Sequence, residues 1–426
     1  MKIPTIKKEF NIVLENIAAD KSISHRAALF SLLTNGECRV LNYLYAQDCL
    51  HTLEVIKQLG AKVQIKEDEL IITPPEELIS PNVVLDCGNS GTLMRLLIGF
   101  LASSKGFFVL SGDEYLNKRP MKRVSAILND LGANIYGRDE ANYAPLAIAG
   151  KNIKYFKYHN HLKSAQVKTA LILAGLLSNG CEVSEDELSR DHSENLLKLM
   201  NAPIKVENNI IKVEPIAQKL KPYSIKVPND PSSAFFFAVL CAISKNSTLK
   251  LKNVLLNKTR IEAFVVLEKM GANIEYEIKE NNYECIGDIT IKSSELKAVE
   301  VSENISWLID EIPALSIAFL YANGKSIVKN AKELRVKESD RIKAVLENYK
   351  LLGVEYEEFE DGFSVIGKSV KGNNFNLKSF ADHRIAMSFS LLAKDYEINI
   401  DDTKCVDASF TNFYDILNNF GINNEN

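Results

Sequence analysis

The segment DKSISHR puts Lys21, Ser22 and Arg26 within the first turn and a half of an expected helix. Lysine supplies a compact point charge, arginine a planar fork that grips a carboxylate or phosphate at two points, and serine a cap or a donor. Two cations at a helix N-terminus oppose its dipole, so a plain solvated entry accounts for them less well than an anionic ligand does. Five further helix starts carry polar residues: GNSGTLMR, KSAQVK, NDPSSAF, DEIP and ADHR. Several such termini turned toward one cleft would make a positive hollow, since their backbone N–H groups lack helical partners.

Four basic segments are expected as loops: RPMKR, SRDHSE, NKTR and RVKESDR. The last sets Arg335, Lys337 and Arg341 around Glu338 and Asp340, a pattern that also suits a solvated face. Glu338 between cations would stay ionised, as a proton acceptor must. Asp310 and Glu311, opening an apolar segment, are the second carboxylate candidates, with simple capping as the alternative. GNSGTLMR is neither GxGxxG nor a Walker sequence, so it offers close backbone approach to an anion together with Thr92 and Arg95, and does not announce a nucleotide. His159 and His161 form an HxH with no third ligand nearby in sequence, so no metal site is expected. Trp307 reads as a packing residue.

These residues need elements to hold them. A small-residue break after a helical stretch recurs at Gly60, Gly132, Asn201, Gly271, Gly353 and Gly421, which suggests six units of roughly 70 residues. Ahead of each break lies a segment apolar nearly all round, from SHRAALFSLLTNG to DHRIAMSFSLLAK. Such helices belong inside a protein. Each unit reads as β-α-β-α-β-β, and six would bury inner helices beneath outer sheets. At 426 residues the chain exceeds one ordinary core, so two or three domains are expected.

A net charge of −4 gives no general attraction to nucleic acid or acidic membranes, so any basic chemistry is local. Seven scattered cysteines without a CxxC argue for reduced thiols, against a disulfide frame and against structural zinc. The charged N-terminus lacks a signal-peptide core, and Ala165–Leu177 is about half a membrane span. A soluble cytoplasmic protein is expected.

Taken together and in order, DKSISHR, GNSGTLMR, RPMKR, SAQVK, RVKESDR and DHRIAM resemble the enolpyruvyl transferase family, in particular its branch acting on shikimate 3-phosphate. The resemblance runs the length of the chain, and DKSISHR and RVKESDR are its specific parts. It implies an α/β fold: a two-domain inside-out barrel of six βαβαββ repeats, three per domain, with buried helices and outer sheets. The domains would be residues 18–224, and 1–17 with 225–426, with the active site in the cleft between them. The implied reaction moves the enolpyruvyl group of phosphoenolpyruvate to the 5-hydroxyl of shikimate 3-phosphate through a tetrahedral intermediate, with no metal or other cofactor. By resemblance, Lys21, Ser22, Arg26, Ser164, Ala165, Gln166, Ser189, Asp310 and Lys337 hold shikimate 3-phosphate. Phosphoenolpyruvate falls to Lys21, Gly91, Arg119, Gln166, Arg341 and Arg384. Asp310 accepts a proton near the shikimate hydroxyls, Glu338 shuttles one at the enolpyruvyl carbon, and Lys21 touches both substrates. Partners would be these small molecules alone, with a monomer as the default state.

Departures from the family pattern put one contact in doubt: Ala408 stands where many members carry a lysine. Leu96, Ala165 and His192 also replace commoner residues. The sister branch, acting on UDP-N-acetylglucosamine, opens its cleft with Lys-Asn and carries a loop Cys or Asp. Here Ser22 follows Lys21, and RPMKR has no Cys. A catalytically silent binding module is the rival of a different class, and the retained Lys21, Arg119, Asp310, Glu338, Arg341 and Arg384 speak against it.

Overall fold

Each of the six apolar segments is a helix: α1 Lys21–Phe30, α2 Gly91–Ala102, α3 Ala165–Leu176, α4 Pro231–Ile243, α5 Ile312–Tyr321 and α6 His383–Ser390. The structure, a computed structural model, describes residues 1–7 and 9–421. Every residue of α4 and α6 is buried; in α4 nearly all side chains are apolar, and in α6 Arg384, Ser388 and Ser390 are buried with hydrogen-bond partners. Each fully buried Leu or Phe contributes roughly 1.5–3 kcal/mol, so these helices carry the cores. Asp20, Ser90, Asp230 and Asp382 cap α1, α2, α4 and α6 by accepting a first-turn N–H, the role short polar side chains play there. Proline in the first turn of α4 and α5 removes a donor that has no helical partner anyway.

The chain divides into two units, Ala19–Val227 and Met1–Ala18 with Pro228–Asn426, and both are mixed α/β. The first has three four-stranded sheets. In one, Phe156–His159 runs parallel to Cys181–Ser184, Ile210–Val213 pairs antiparallel to the latter, and Ile204–Glu207 closes the edge. A parallel pair needs a crossover, and α3 supplies it. Leu85–Asp86, Phe107–Ser111, Tyr143–Ala149 and Ile135–Gly137 follow the same order around α2. In the third sheet Ser224–Lys226 is parallel to Cys38–Leu41, so the first strand in space is the last in sequence. Helices α2 and α3 touch at Gly99, where an added Cβ would lie 2.2 Å from the Ala170 carbonyl oxygen. Only glycine permits that approach.

The second unit repeats the sheet order twice. Asn11–Leu14 is parallel to Thr248–Leu255, and Glu300–Val301 to Lys325–Val328, each followed by an antiparallel pair. Its third sheet departs from the expected βαβαββ pattern. Among the described residues it has two strands, Asn374–Leu377 and Glu397–Ile400. Beyond Ile400 the chain forms a short 3-10 turn and the helix Phe413–Asn418. Phe410, Phe413 and Phe420 pack there around Phe237 of α4, with ring centroids 5.4–6.0 Å apart. That helix is the one expected ahead of the Gly421 break, and the start of the chain lies antiparallel beside Glu397–Ile400, with Lys2 bridged to Asn399 and Ile6 to Gly421. Of the segment NFGINN, the last three residues, 422–424, lie outside the described residues.

The four basic segments are not plain loops. Arg341, His192 and Lys122 open helices Arg341–Leu351, His192–Leu199 and Lys122–Asp130, and NKTR ends just before Glu262–Lys269. They are therefore entries to the outer helices, where exposed faces hide an amphipathic start from a purely apolar scan. No helix among the described residues is long and apolar enough to cross a membrane.

Candidate functional site

In the unit Ala19–Val227, α1 begins with Lys21, whose Nζ donates to Asp48 Oδ2 at 3.1 Å. The cap is Asp20, accepting from the Ile23 N–H at 2.8 Å, so Ser22 is left for other work. Arg26 lies deeper than a first-turn ligand: it is buried, and its guanidinium donates to Ser193 Oγ, the Ser22 carbonyl and Thr169 Oγ1 at 2.7, 2.9 and 3.1 Å. These bonds tie α1 to α3 and to the helix His192–Leu199. Between the two cations His25 faces inward to Thr52 Oγ1 at 2.7 Å and Ser90 Oγ at 3.3 Å. Burial, then the charges of Lys21 and Arg26, push its pKa down to about 3, so the imidazole is neutral and adds no charge behind them.

At α2, Gly91 clears space for two guanidiniums. A Cβ there would stand 3.0 Å from Arg95 Nη1 and 3.1 Å from Arg119 Cζ. Arg95 donates to Gln166 Oε1 at 2.8 Å and to the Pro120 carbonyl at 3.2 Å. Gln166 in turn donates to Thr92 Oγ1 at 2.9 Å. Gly91, Arg119 and Gln166 are thus brought together, with Arg95 as the brace.

Helix α3 differs from its neighbours because Ser164 occupies the N-cap position without making a capping bond. Its first-turn N–H groups are therefore not closed by their own side chain, which suits an anion. Below it Lys168 is fully buried between Glu194 at 2.7 Å and Glu185 at 3.0 Å. Burial alone would lower the pKa of Lys168, but Glu194 and Glu185 outweigh it and hold it above the usual lysine range. Glu185 also accepts from the Ser189 hydroxyl at 2.7 Å, the Ser189 N–H at 3.0 Å and Asn160 Nδ2 at 2.8 Å.

The other unit concentrates its charge on Arg341, the first residue of Arg341–Leu351. Nε donates to Asp382 Oδ2 at 2.8 Å, Nη1 to Asp310 Oδ1 at 3.2 Å and Nη2 to Glu338 Oε2 at 2.6 Å. Burial works against its charge, but Asp382, Glu338 and Asp310 together keep the guanidinium firmly protonated. Burial likewise tends to raise the Asp382 carboxyl, yet Arg341 holds it below the ordinary range. Asp382 caps α6 as well, accepting from the Arg384 N–H at 2.9 Å. Arg384 Nη1 donates to the Asp310 carbonyl at 3.0 Å. Asp310 does not cap α5; Glu311 holds that position without making a capping bond, its carboxylate accepting instead from Ser232 Oγ. Lys337 has its pKa lowered by burial, offset in part by Asp310 and Glu333. Asp310, Glu338, Arg341 and Arg384 form one cluster.

A family model described as EPSP synthase (3-phosphoshikimate 1-carboxyvinyltransferase) matches residues 6–417. The chain belongs to the EPSP synthase family. It is 56% identical over 424 residues to the 3-phosphoshikimate 1-carboxyvinyltransferase of Campylobacter jejuni subsp. doylei, covering 99% of each chain. Its identity to the protein of that name from Campylobacter hominis is 54% over 425 residues, with 100% of both covered. A solved EPSP synthase from Acinetobacter baumannii superposes with a TM-score of 0.86 at 36% identity, over 99% of this chain and 98% of that one.

For a member of the EPSP synthase family, the residues missed by sequence reasoning are the partners of its cations. Asp48 meets Lys21, Asp382 meets Arg341, and Thr169 and Ser193 meet Arg26. Only Asp382 left a trace, as the polar residue before α6; the others come from distant segments. Ala408 lies in the 3-10 turn Lys404–Ala408, half-buried, and Lys404 at the head of that turn is exposed.

Proposed function

We propose that this chain transfers the enolpyruvyl group of phosphoenolpyruvate to the 5-hydroxyl of shikimate 3-phosphate, releasing phosphate. The observation that carries the reading is the Arg341 cluster, in which one guanidinium spans Asp310 and Glu338, in a chain similar to EPSP synthases along its whole length. Both substrates bear phosphate and carboxylate, so binding them requires fixed cations, and the chemistry then requires acids and bases among those cations. Lys21, Ser22, Arg26, Ser164, Ala165, Gln166, Ser189, Asp310 and Lys337 are assigned to shikimate 3-phosphate. Lys21, Gly91, Arg119, Gln166, Arg341 and Arg384 are assigned to phosphoenolpyruvate.

In the addition step Asp310 takes the proton of the attacking hydroxyl, whose oxygen bonds to C2 of phosphoenolpyruvate, while Glu338, entering the step protonated, gives its proton to C3, which becomes a methyl group. In the elimination step Glu338 takes a proton back from that methyl group, the double bond returns, the C–O bond to phosphate breaks, and the proton held by Asp310 leaves with the phosphate. Arginines bound to the carboxylate and phosphate stabilise the charge that builds up in between. No step requires a metal or other cofactor. The frame we assign to this reaction is an inside-out barrel of six α/β units, split into residues 18–224 and residues 1–17 with 225–426. Both sets of residues serve one pair of substrates, and the enzyme works as a cytoplasmic monomer.

Phosphorus NMR of the purified protein with both substrates tests the reading. The phosphoenolpyruvate resonance should give way to free phosphate and a new monoester. Turnover with UDP-N-acetylglucosamine in place of shikimate 3-phosphate, and none with the latter, would overturn it.

A further inference from the structure

The strands Phe156–His159 and Cys181–Ser184 run parallel with His159 opposite Ser184, and each continues into a loop that carries chemistry on two faces. On the inner face, Asn160 and Glu185 are buried and bonded at 2.8 Å. On the outer face, His159, His161 and Asp186 present three ligand atoms that all lie within 4.8 Å of one another. The HxH pair has no third ligand nearby in sequence. The neighbouring strand supplies one.

We propose that His159 Nε2, His161 Nδ1 and the Asp186 carboxylate bind one divalent transition-metal ion of the zinc class. The donor distances bracket those of a metal site. His159 Nε2 is 2.9 Å from Asp186 Oδ1, and His161 Nδ1 is 3.9 Å from Asp186 Oδ2. Bonds of about 2.0–2.1 Å in a tetrahedral site put donors roughly 3.3 Å apart, between those two values. The imidazoles lie edge to face, with centroids 4.3 Å apart, and their ligand nitrogens lie within 4.8 Å of each other. His159 Nδ1 is 2.8 Å from Ser184 Oγ. In the metal-bound form that nitrogen carries the proton and donates to the serine, leaving the Nε2 lone pair for the ion, the outer support that metal-binding imidazoles usually have. Two imidazoles and one carboxylate favour zinc, nickel or copper over magnesium or calcium. A fourth position faces solvent and takes water.

The site has a line to the substrate residues. Asn160, between the two histidines, donates to the Ser164 carbonyl at 3.3 Å as well as to Glu185, and Glu185 receives the Ser189 hydroxyl. A bound ion clamps both loops from outside and so fixes Ser164 and Ser189 from within. Occupancy should lower KM for shikimate 3-phosphate several-fold while leaving kcat unchanged, a consequence that rests on the function proposed above.

Isothermal titration of the chelator-treated protein with zinc chloride, without substrates, tests the site itself. One saturable equivalent is expected, weakened at least tenfold in His161→Ala and in Asp186→Asn. Both positions are exposed, so the fold survives, which circular dichroism verifies, and metal-free turnover stays at the unsubstituted level. No saturable binding, or binding undiminished in both variants, overturns the site. A KM that does not respond to zinc in the unsubstituted protein overturns the coupling. Absence of turnover in the metal-free protein would instead count against the proposed function and leave the titration to stand by itself.

Discussion

Arg341 donates from Nε to Asp382 at 2.8 Å, so the residue that opens one helix is held by the residue that caps another. Asp382 is completely buried and has two duties, orienting the guanidinium and closing the N-terminus of α6. Asp382→Ala should destabilise the protein by about 3–5 kcal/mol, the usual cost of leaving a buried charge without its partner. Asp382→Asn keeps a capping oxygen and should recover about 1 kcal/mol of that. Because Arg341 lowers the Asp382 pKa, the contribution of the pair is present above the unfolded carboxylate range and is lost as pH falls through the folded value. Urea midpoints for the two variants, read at pH 7, check the ranking.

Gly91→Ala should leave the fold intact and damage substrate binding. The added methyl would meet the ends of two flexible side chains, Arg95 and Arg119, at 3.0–3.2 Å, and these can yield by a few tenths of an ångström. Displacing the guanidiniums should raise KM for phosphoenolpyruvate about tenfold, with a small change in kcat and in melting temperature. Steady-state kinetics with phosphoenolpyruvate as the varied substrate gives the answer.

His25 sets a limit on acid stability. Its pKa falls from an ordinary 6.5 to about 3 in the folded protein, so below pH 6.5 the unfolded chain binds a proton that the native imidazole refuses. Stability should therefore drop as pH falls, by about 1.4 kcal/mol per unit for this one group, until the folded value is reached. His25→Gln should flatten that part of the profile. Urea denaturation of both proteins at pH 7 and pH 5 measures the difference, expected to be about 2 kcal/mol.

Lys168 joins Glu185 and Glu194 inside the unit Ala19–Val227, with side chains almost wholly removed from solvent. Lys168→Met would strand two buried carboxylates and should cost about 3–5 kcal/mol. Since Glu185 also holds Ser189, KM for shikimate 3-phosphate should rise in any fraction that still folds.

The buried helices were legible because α2 to α5 are apolar round most of their circumference beyond the first turns, a property that local sequence carries. Their caps were partly legible: Ser90 and Asp382 stand where a cap is expected, whereas Asp20 rather than Ser22 closes α1. The partners of the cations were not legible. Asp48 lies 27 residues from Lys21 and Asp382 lies 41 from Arg341, and neither separation follows a helical or strand period. The last sheet was harder to read because its antiparallel neighbour comes from the far end of the chain, with Lys2 bridged to Asn399 and Ile6 to Gly421. Phe410, Phe413 and Phe420 anchor the helix Phe413–Asn418 on Phe237, a contact between segments far apart in sequence.

The central claim is that Asp310 and Glu338, both held by Arg341, are the groups that move protons during carboxyvinyl transfer. The most direct test is the initial rate of phosphate release at saturating shikimate 3-phosphate and phosphoenolpyruvate, for the unsubstituted chain, Asp310→Asn and Glu338→Gln. Release should require both substrates, and kcat should fall roughly 10²–10⁴-fold in each variant, the range ascribed to a positioned acid or base. Rates within threefold of the unsubstituted chain in either variant would contradict the account.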